Sequence, residues 1–395
     1  MKKPATYNSP VRRIRSYLLS IVFIVAIIIP AVNIFVEIVP DVEINENRLK
    51  APFPAFDFSK LDPFPREFEV YFEDHFVSRN FFLKQYMRLN LLLFQKSVIP
   101  DKAVVGSDGW LYMSGFELES YRGDSLFNNI ELAELTSEIA RRDSIVRASG
   151  GNYYFVIVPC KHSVYPEYLP EYAEKTVAKN NAELIMESLQ RSTGVKCLFP
   201  LKEIQNHKTE QYPLYSKTDN HWNHLGAFYA VQAVAELIRK DYPAVKPLRL
   251  SDYRIVVKKQ RGGNIAEMFG MQDELAEDFV SLEPIEPVRA HTADKQNYPV
   301  LEGFAYPEEY EVVFETGNDS LPKMLIIRES FAGFAAPYLS ESSSKAVFIF
   351  DAWQHKFNPE IFESEKPDIY IQFVMEGFLR QMLQYSRAEK GSTPN

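Results

Sequence analysis

The chain is poor in cysteine, tryptophan and histidine, with 2, 3 and 7 of them in 395 residues. Two cysteines, Cys160 and Cys197, cannot build a disulfide framework or a four-cysteine zinc site. Glycine is also scarce, at 16 residues, and no glycine-rich phosphate loop of the Walker or dinucleotide type occurs. Basic residues are outnumbered, 44 Lys and Arg against 53 Asp and Glu, for a formal net charge of −9. That balance argues against a nucleic-acid binder, whose surface is normally basic. Aromatics are plentiful: 22 Tyr and 29 Phe in a composition that is 46% hydrophobic. This is globular rather than disordered, and the length fits one large domain or two ordinary ones.

Charge and hydropathy are uneven along the chain. Residues 1–16 hold Lys2, Lys3, Arg12, Arg13 and Arg15 and no acid, which leaves −14 on the remainder. An apolar run follows over 17–37, and Asp41 and Glu43 lie beyond it. About 20 apolar residues at about 1.5 Å each cross a hydrocarbon core. The positive-inside rule then makes 1–16 a cytoplasmic basic segment and 17–37 a single-pass signal anchor, with the rest on the extracytoplasmic side of the membrane. A cleaved signal peptide is the rival, but no Ala-x-Ala-like site stands near Pro40. A buried soluble helix is the other alternative, and no polar face interrupts the run.

The remainder reads as an exported α/β domain over 41–385, with a disordered tail over 386–395. Apolar strands are expected at 153–158, 195–199, 324–327, 346–350 and 369–373. Helices are expected at 128–148, 174–190, 225–239 and 331–339. Uninterrupted apolar strands alternating with helices imply a parallel sheet covered on both faces. The irregular, polar stretch 251–320 reads as an insertion. In such folds the chemistry sits beyond the carboxyl ends of the strands.

Two segments carry candidate chemistry. In Asp219-Asn220-His221-Trp222, residues two apart face one way in an extended segment, so Asp219 can orient the His221 imidazole as a base. Trp222 would shield the site from water. The bland alternative is that Asp219 or Asn220 caps the next helix, and a metal held by Asp219, His221 and His224 is a third reading. In Arg328-Glu329-Ser330-Phe331 a serine sits where a buried strand turns into a helix. That placement suits a nucleophile, with helix-start N–H groups for an oxyanion, or an ordinary helix cap. Gly123-Asp124-Ser125-Leu126 spells a hydrolase nucleophile motif, but Glu119-Ser-Tyr-Arg122 before it cannot be a buried strand. Ser125 is better read as a loop residue.

Several stretches together resemble the alginate O-acetyltransferase family. They are Glu46-Asn-Arg48 with Pro52-Phe-Pro, Phe72-Glu-Asp-His-Phe76 with Arg79, Gly106 to Tyr112, Val158-Pro-Cys-Lys161 with Tyr165-Pro-Glu, Asp219-Asn-His221-Trp222, Gly262-Gly263-Asn264, and Arg328-Glu-Ser330-Phe331. The resemblance implies an SGNH-hydrolase-like, flavodoxin-like parallel sheet flanked by helices. It also implies a triad of Ser330 as nucleophile, His221 as base and Asp219 as orienting acid, with no metal and no cofactor. Glu329 stands where the family commonly has Asp, and Asn264 where an acid is usual. Acceptor-binding candidates are Lys161, Trp222, Asn264, Arg328 and Trp353. The implied activity moves acetyl through Ser330 to hydroxyls of an exported polysaccharide. The implied donor is a separate multi-pass membrane acyltransferase, and the location is the periplasmic face of the inner membrane. An esterase using the same triad and a non-catalytic polysaccharide-binding or assembly protein remain as alternatives. Cys160 and Cys197, near neighbouring strands, stay open between a disulfide and two free thiols.

Overall fold

The continuous apolar runs of the sequence become strands. The computed structural model describes residues 10–33, 36, 51–55, 62–209, 211–351 and 353–391. Its central sheet has seven strands: β1 (Asn152–Val158), β2 (Lys196–Leu198), β3 (His291–Thr292), β4 (Glu311–Glu315), β5 (Met324–Arg328), β6 (Lys345–Phe350) and β7 (Ile369–Met375). Their spatial order is β2-β1-β7-β5-β6-β4-β3. The first five in that order are parallel, with registers such as Ile371 opposite both Tyr154 and Ile326. The fold is SGNH-hydrolase-like, with helices on both sheet faces.

Alternation along the strands explains why both faces are covered. Tyr154, Val156, Ile326, Phe348, Ile371 and Phe373 point to one side, where they join Phe228, Val231 and Val234 of the helix His224–Arg239. Tyr153, Phe155, Ile157, Leu325, Val347 and Tyr370 point to the other, against Leu135 and Ile139 of the helix Asn129–Ala148 and Ile185 and Leu189 of the helix Asn181–Ser192. A strand buried on both sides has no room for polar alternation, so the sequence shows an unbroken apolar run.

The structure corrects five expectations. The sheet is not wholly parallel: β4 pairs antiparallel with β6, and β3 antiparallel with β4. Both strands come from 251–320, so only part of that section is an insertion, namely an antiparallel arm of Tyr253–Gln260 paired with Glu277–Pro284. The acids at both ends of β4 kept its Val-Val-Phe centre from reading as a core strand. The helix expected at 174–190 begins at Asn181, where Asn180 and Glu183 form a reciprocal capping box. The helix expected at 331–339 is broken into a 3-10 turn, Ser330–Gly333, and a short helix, Ala336–Ser340, because Pro337 must sit in a first turn. The tail is also ordered further than expected. The last helix runs Leu379–Gly391, with Ser386 buried and Arg387 bonded to Glu134 Oε2 at 2.8 Å. Cys160 and Cys197 are free thiols.

Residues up to Phe94, with Glu267–Met271, form a separate compact unit. Within it, Phe53 packs on Phe68 and Tyr71 of the helix Phe64–His75, with ring centroids 6.1 and 5.1 Å away, and Ala51 N donates to Asp74 Oδ2 at 2.8 Å. The helix Pro10–Asn33 begins within the expected cytoplasmic segment and overlaps the expected anchor over 17–33, and its described apolar side chains, such as Leu18, Leu19 and Phe23, are exposed. Among the described residues no helix is long and apolar enough to cross a membrane. Lys2, Lys3 and the motif Glu46-Asn-Arg48 lie outside the described residues.

Candidate active site

The loop between β2 and the helix His224–Arg239 carries the first two candidates. It is closed at its base by an antiparallel bridge between Tyr215 and Trp222, with Asn223 N donating to Leu214 O at 3.0 Å. Asn223 caps the helix, its side-chain oxygen accepting from the Leu225 and Gly226 N–H groups at 2.9 and 3.1 Å. That leaves Asp219 and His221 free of the capping role. Lys161 holds the loop from beneath: its ammonium donates to the carbonyls of Ser216, Lys217 and Asp219 at 3.0, 3.1 and 2.5 Å. Burial lowers the Lys161 pKa to about 8, against the opposing pull of Glu277, Asp219 and Glu117. Glu277, from the antiparallel arm, accepts from Lys217 N at 2.5 Å, from Thr218 N at 3.2 Å and from the Thr218 hydroxyl.

Asp219 is fixed at both carboxylate oxygens. Oδ1 accepts from His221 N at 2.9 Å and faces His221 Nδ1 at 2.6 Å, and Oδ2 accepts from Asn264 N at 2.9 Å. Gly263 permits this approach, since a Cβ there would lie 2.4 Å from Asp219 Cβ and Oδ2. An ionised carboxylate can only accept, so His221 Nδ1 carries the proton and Nε2 presents its lone pair. Ser330 Oγ lies 2.8 Å from that nitrogen, 109 residues along the chain. Burial opposes charge on Asp219, but the His221 bond and charge and the two N–H donors hold its pKa at about 2. Burial likewise disfavours the imidazolium of His221. The bond and charge of Asp219, with Glu329 and Glu117 beyond, outweigh it and raise the pKa above its ordinary value.

Ser330 lies just past the end of β5, after Glu329. Phe331 N, one of the N–H groups expected to serve an oxyanion, is already bonded to Glu329 Oε2 at 2.8 Å. The other Glu329 oxygen is buried with no partner among the described residues, and burial lifts this carboxyl to about 7. Trp222 joins the two halves of the site, its indole N–H donating to Phe331 O at 2.8 Å.

His221 and Ser330 open into a cavity of about 650 Å³. Asn264 and Trp353, named above as acceptor-binding candidates, are among its lining residues, with Tyr306, Glu309, Phe350, Glu117 and Asn220. Three expectations are corrected. Lys161 does not reach the cavity, because its ammonium is spent on backbone carbonyls and the residue is fully buried. Trp222 is only 1% exposed and braces the loop instead of facing acceptor or solvent. Arg328 lies behind the wall, its guanidinium 4.5 Å over the Phe350 ring and bonded to Glu309 O at 2.8 Å. Ser125 is an exposed loop residue away from the cavity lining.

Sequence reasoning missed Glu117 and, apart from Trp353, the aromatic wall. Glu117 is fully buried and bonded to Asn220 Nδ2 at 2.7 Å, and burial raises its pKa to about 7. A lone Glu in the short helix Phe116–Arg122 carries no pattern that foretells this. Asn220, between two candidate residues, could have been found by position; it also exchanges hydrogen bonds with Asn264 at 3.1 and 2.5 Å. Glu117, Cys160 and His162 have donor atoms within 4.8 Å of one another, a buried group close enough to share an ion. His224, by contrast, packs edge-on against Phe279 and Phe334.

Residues 103–301 match the family described as SGNH hydrolase-like domain, acetyltransferase AlgX. The chain belongs to that family. The AlgX-family match ends before Ser330, so it covers Asp219 and His221 but not the candidate nucleophile. A curated relative, the probable alginate O-acetylase AlgJ of Pseudomonas aeruginosa, is 21% identical over 268 residues, covering 67% of this chain and 63% of the relative's length. Two solved structures share the fold. Bacillus cereus PatB1 has a TM-score of 0.53 at 15% identity, covering 71% of this chain and 97% of its own. A DHHW family protein from Eubacterium siraeum has a TM-score of 0.51 at 19% identity, covering 73% and 98%.

Proposed function

We propose that this chain is an O-acetyltransferase that moves acetyl through Ser330 to a hydroxyl of an exported polysaccharide. One observation carries the reading: a histidine bonded to a carboxylate through Nδ1 and to a serine hydroxyl through Nε2, at the mouth of a cavity, in a chain of the AlgX family. His221 Nε2 takes the Ser330 proton as Oγ attacks the acetyl carbonyl. The tetrahedral intermediate expels the donor's oxygen, which leaves with that proton, and an acetyl-enzyme remains. A sugar hydroxyl then gives its proton to Nε2 and attacks the same carbonyl. The new ester departs, and the proton returns to Ser330 Oγ. Asp219 keeps the imidazole in the required tautomer and stabilises the transient imidazolium. The acceptor outcompetes water by being bound and oriented in the cavity.

Residues 17–37 anchor the chain in the inner membrane with the site on the periplasmic side, a reading supported by the five basic residues before the run and the acids after it. Acetyl donors are made in the cytoplasm, so a multi-pass membrane acyltransferase is the partner that brings acetyl outward. The AlgJ relative's description as an alginate O-acetylase supports a polysaccharide acceptor.

The test incubates the full chain, in detergent, with an activated acetyl ester and oligosaccharides. Acetyl on sugar that disappears in both Ser330→Ala and His221→Ala is the expected result. Transfer that survives either substitution overturns the reading, as does release to water alone with acetylated polymer as the preferred substrate.

A further inference from the structure

The cavity holds hydrogen-bonding and aromatic groups but, among the described residues, no Lys or Arg in its lining. Its charged members besides His221 are Glu117 and Glu309. Arg328, behind the wall, is occupied: Nη2 donates to Glu309 O at 2.8 Å and stands 3.8 Å from Glu309 Oε2, and the residue is 5% exposed. Arg380, in the adjoining pocket past Gln381 and Tyr385, is bonded to Glu131 and to the carbonyls of Ser125 and Leu126. A polyuronate brings one carboxylate per sugar, and carboxylates are recognised by Arg or Lys, with Arg binding through paired N–H donors. Here an incoming carboxylate would meet Glu309 instead. The same wall offers flat apolar surface. Phe350 is 2% exposed and backs the wall, with Tyr306 6.3 Å and Trp353 5.0 Å from its ring, so the rings open to the cavity are Tyr306, 49% exposed, and the half-buried Trp353. Such rings suit the C–H face of a pyranose, while the neutral amides of Asn264 and Gln381 can bond its hydroxyls.

We infer that the acceptor bound in this cavity is an uncharged glycan segment rather than a polyuronate, chosen by an aromatic platform and by the absence of a cation to receive carboxylates. The inference rests on the acetyl-transfer reading and specifies its substrate class.

The experiment supplies the full chain, in detergent, with p-nitrophenyl acetate and either cellohexaose or hexamannuronate at equal concentration. Acetylated sugar is measured by mass spectrometry. Ser330-dependent acetylation of cellohexaose should exceed that of hexamannuronate by about tenfold, the scale of one largely solvent-screened like-charge contact. Glu309→Lys should narrow that ratio, and Glu309→Gln should narrow it less. Raising the salt should lift only the hexamannuronate rate. Hexamannuronate accepted as well as or better than cellohexaose overturns the inference and leaves the acetyl-transfer reading intact. A ratio that neither Glu309 substitution moves also overturns it. Failure to find Ser330-dependent acetyl on either sugar overturns the acetyl-transfer reading itself.

Discussion

Around Asp219 and His221 the loop is bound on every side: by Lys161 from below, by Glu277 from the arm, and by Asn264 at the carboxylate. The aromatic wall is built differently. Tyr306, Phe350 and Trp353 meet through ring edges and faces, and Trp353 sits at φ 60°, a conformation uncommon outside glycine. Acyl transfer is sensitive to displacements of about 1 Å, whereas stacking on a ring tolerates sliding. The candidate reaction centre is thus held by hydrogen bonds, and the wall beside it chiefly by ring packing.

That contrast can be broken from the reacting side first. Ser330→Ala should lower nitrophenolate release from p-nitrophenyl acetate by about 10⁶-fold, the scale seen when a triad serine is lost. Asp219→Asn should cost about 10⁴-fold in kcat, since the amide favours the wrong tautomer of His221, while circular dichroism stays unchanged. Gly263→Ala should cost about 100-fold, because the new methyl needs the space of the Asp219 carboxylate. Trp353→Ala tests the other side. It should raise KM for an oligosaccharide acceptor by about tenfold and spare nitrophenolate release without acceptor, in line with the loss of one aromatic contact. An equal loss in both assays would mean that the wall is part of the reaction centre.

The pH profile sharpens the comparison further. The proposed reaction needs neutral His221, whose pKa lies above the ordinary 6.5. The rate should therefore climb as pH rises through that region, while Asp219, at about 2, stays ionised throughout. Glu117 and Glu329, lifted to about 7 by burial, lose protons over the same range, so the climb should be broader than a single titration. Glu117→Gln should narrow it, as read from stopped-flow rates between pH 5 and 9.

How much of this was legible in the sequence depends on whether the cause is local. The core strands could be read because burial on both faces demands unbroken apolar runs, as in Tyr153 to Val158. Asp219 and His221 could be read because a spacing of two sets their common direction. β4 could not, since an antiparallel strand with acids at both ends resembles a loop until β6 pairs with it. Lys161, Trp222 and Arg328 were located by motif but misassigned in role. A charged or aromatic residue near a site reads as a ligand contact from sequence. Only the positions of Ser216, Lys217, Asp219 and Phe331 reveal that two of them carry backbone instead. The wall of Tyr306, Phe350 and Trp353 comes from two distant segments and leaves no local pattern.

Trp222 gives the molecule a built-in optical probe. It is one of three tryptophans in the chain, and its indole is bonded to the carbonyl of the residue that follows the nucleophile. In the proposed reaction, a shift of the elbow on acylation of Ser330 passes into that bond. Emission from a chain in which Trp110 and Trp353 are replaced by Phe then registers loading and unloading of the serine in real time, without a labelled donor.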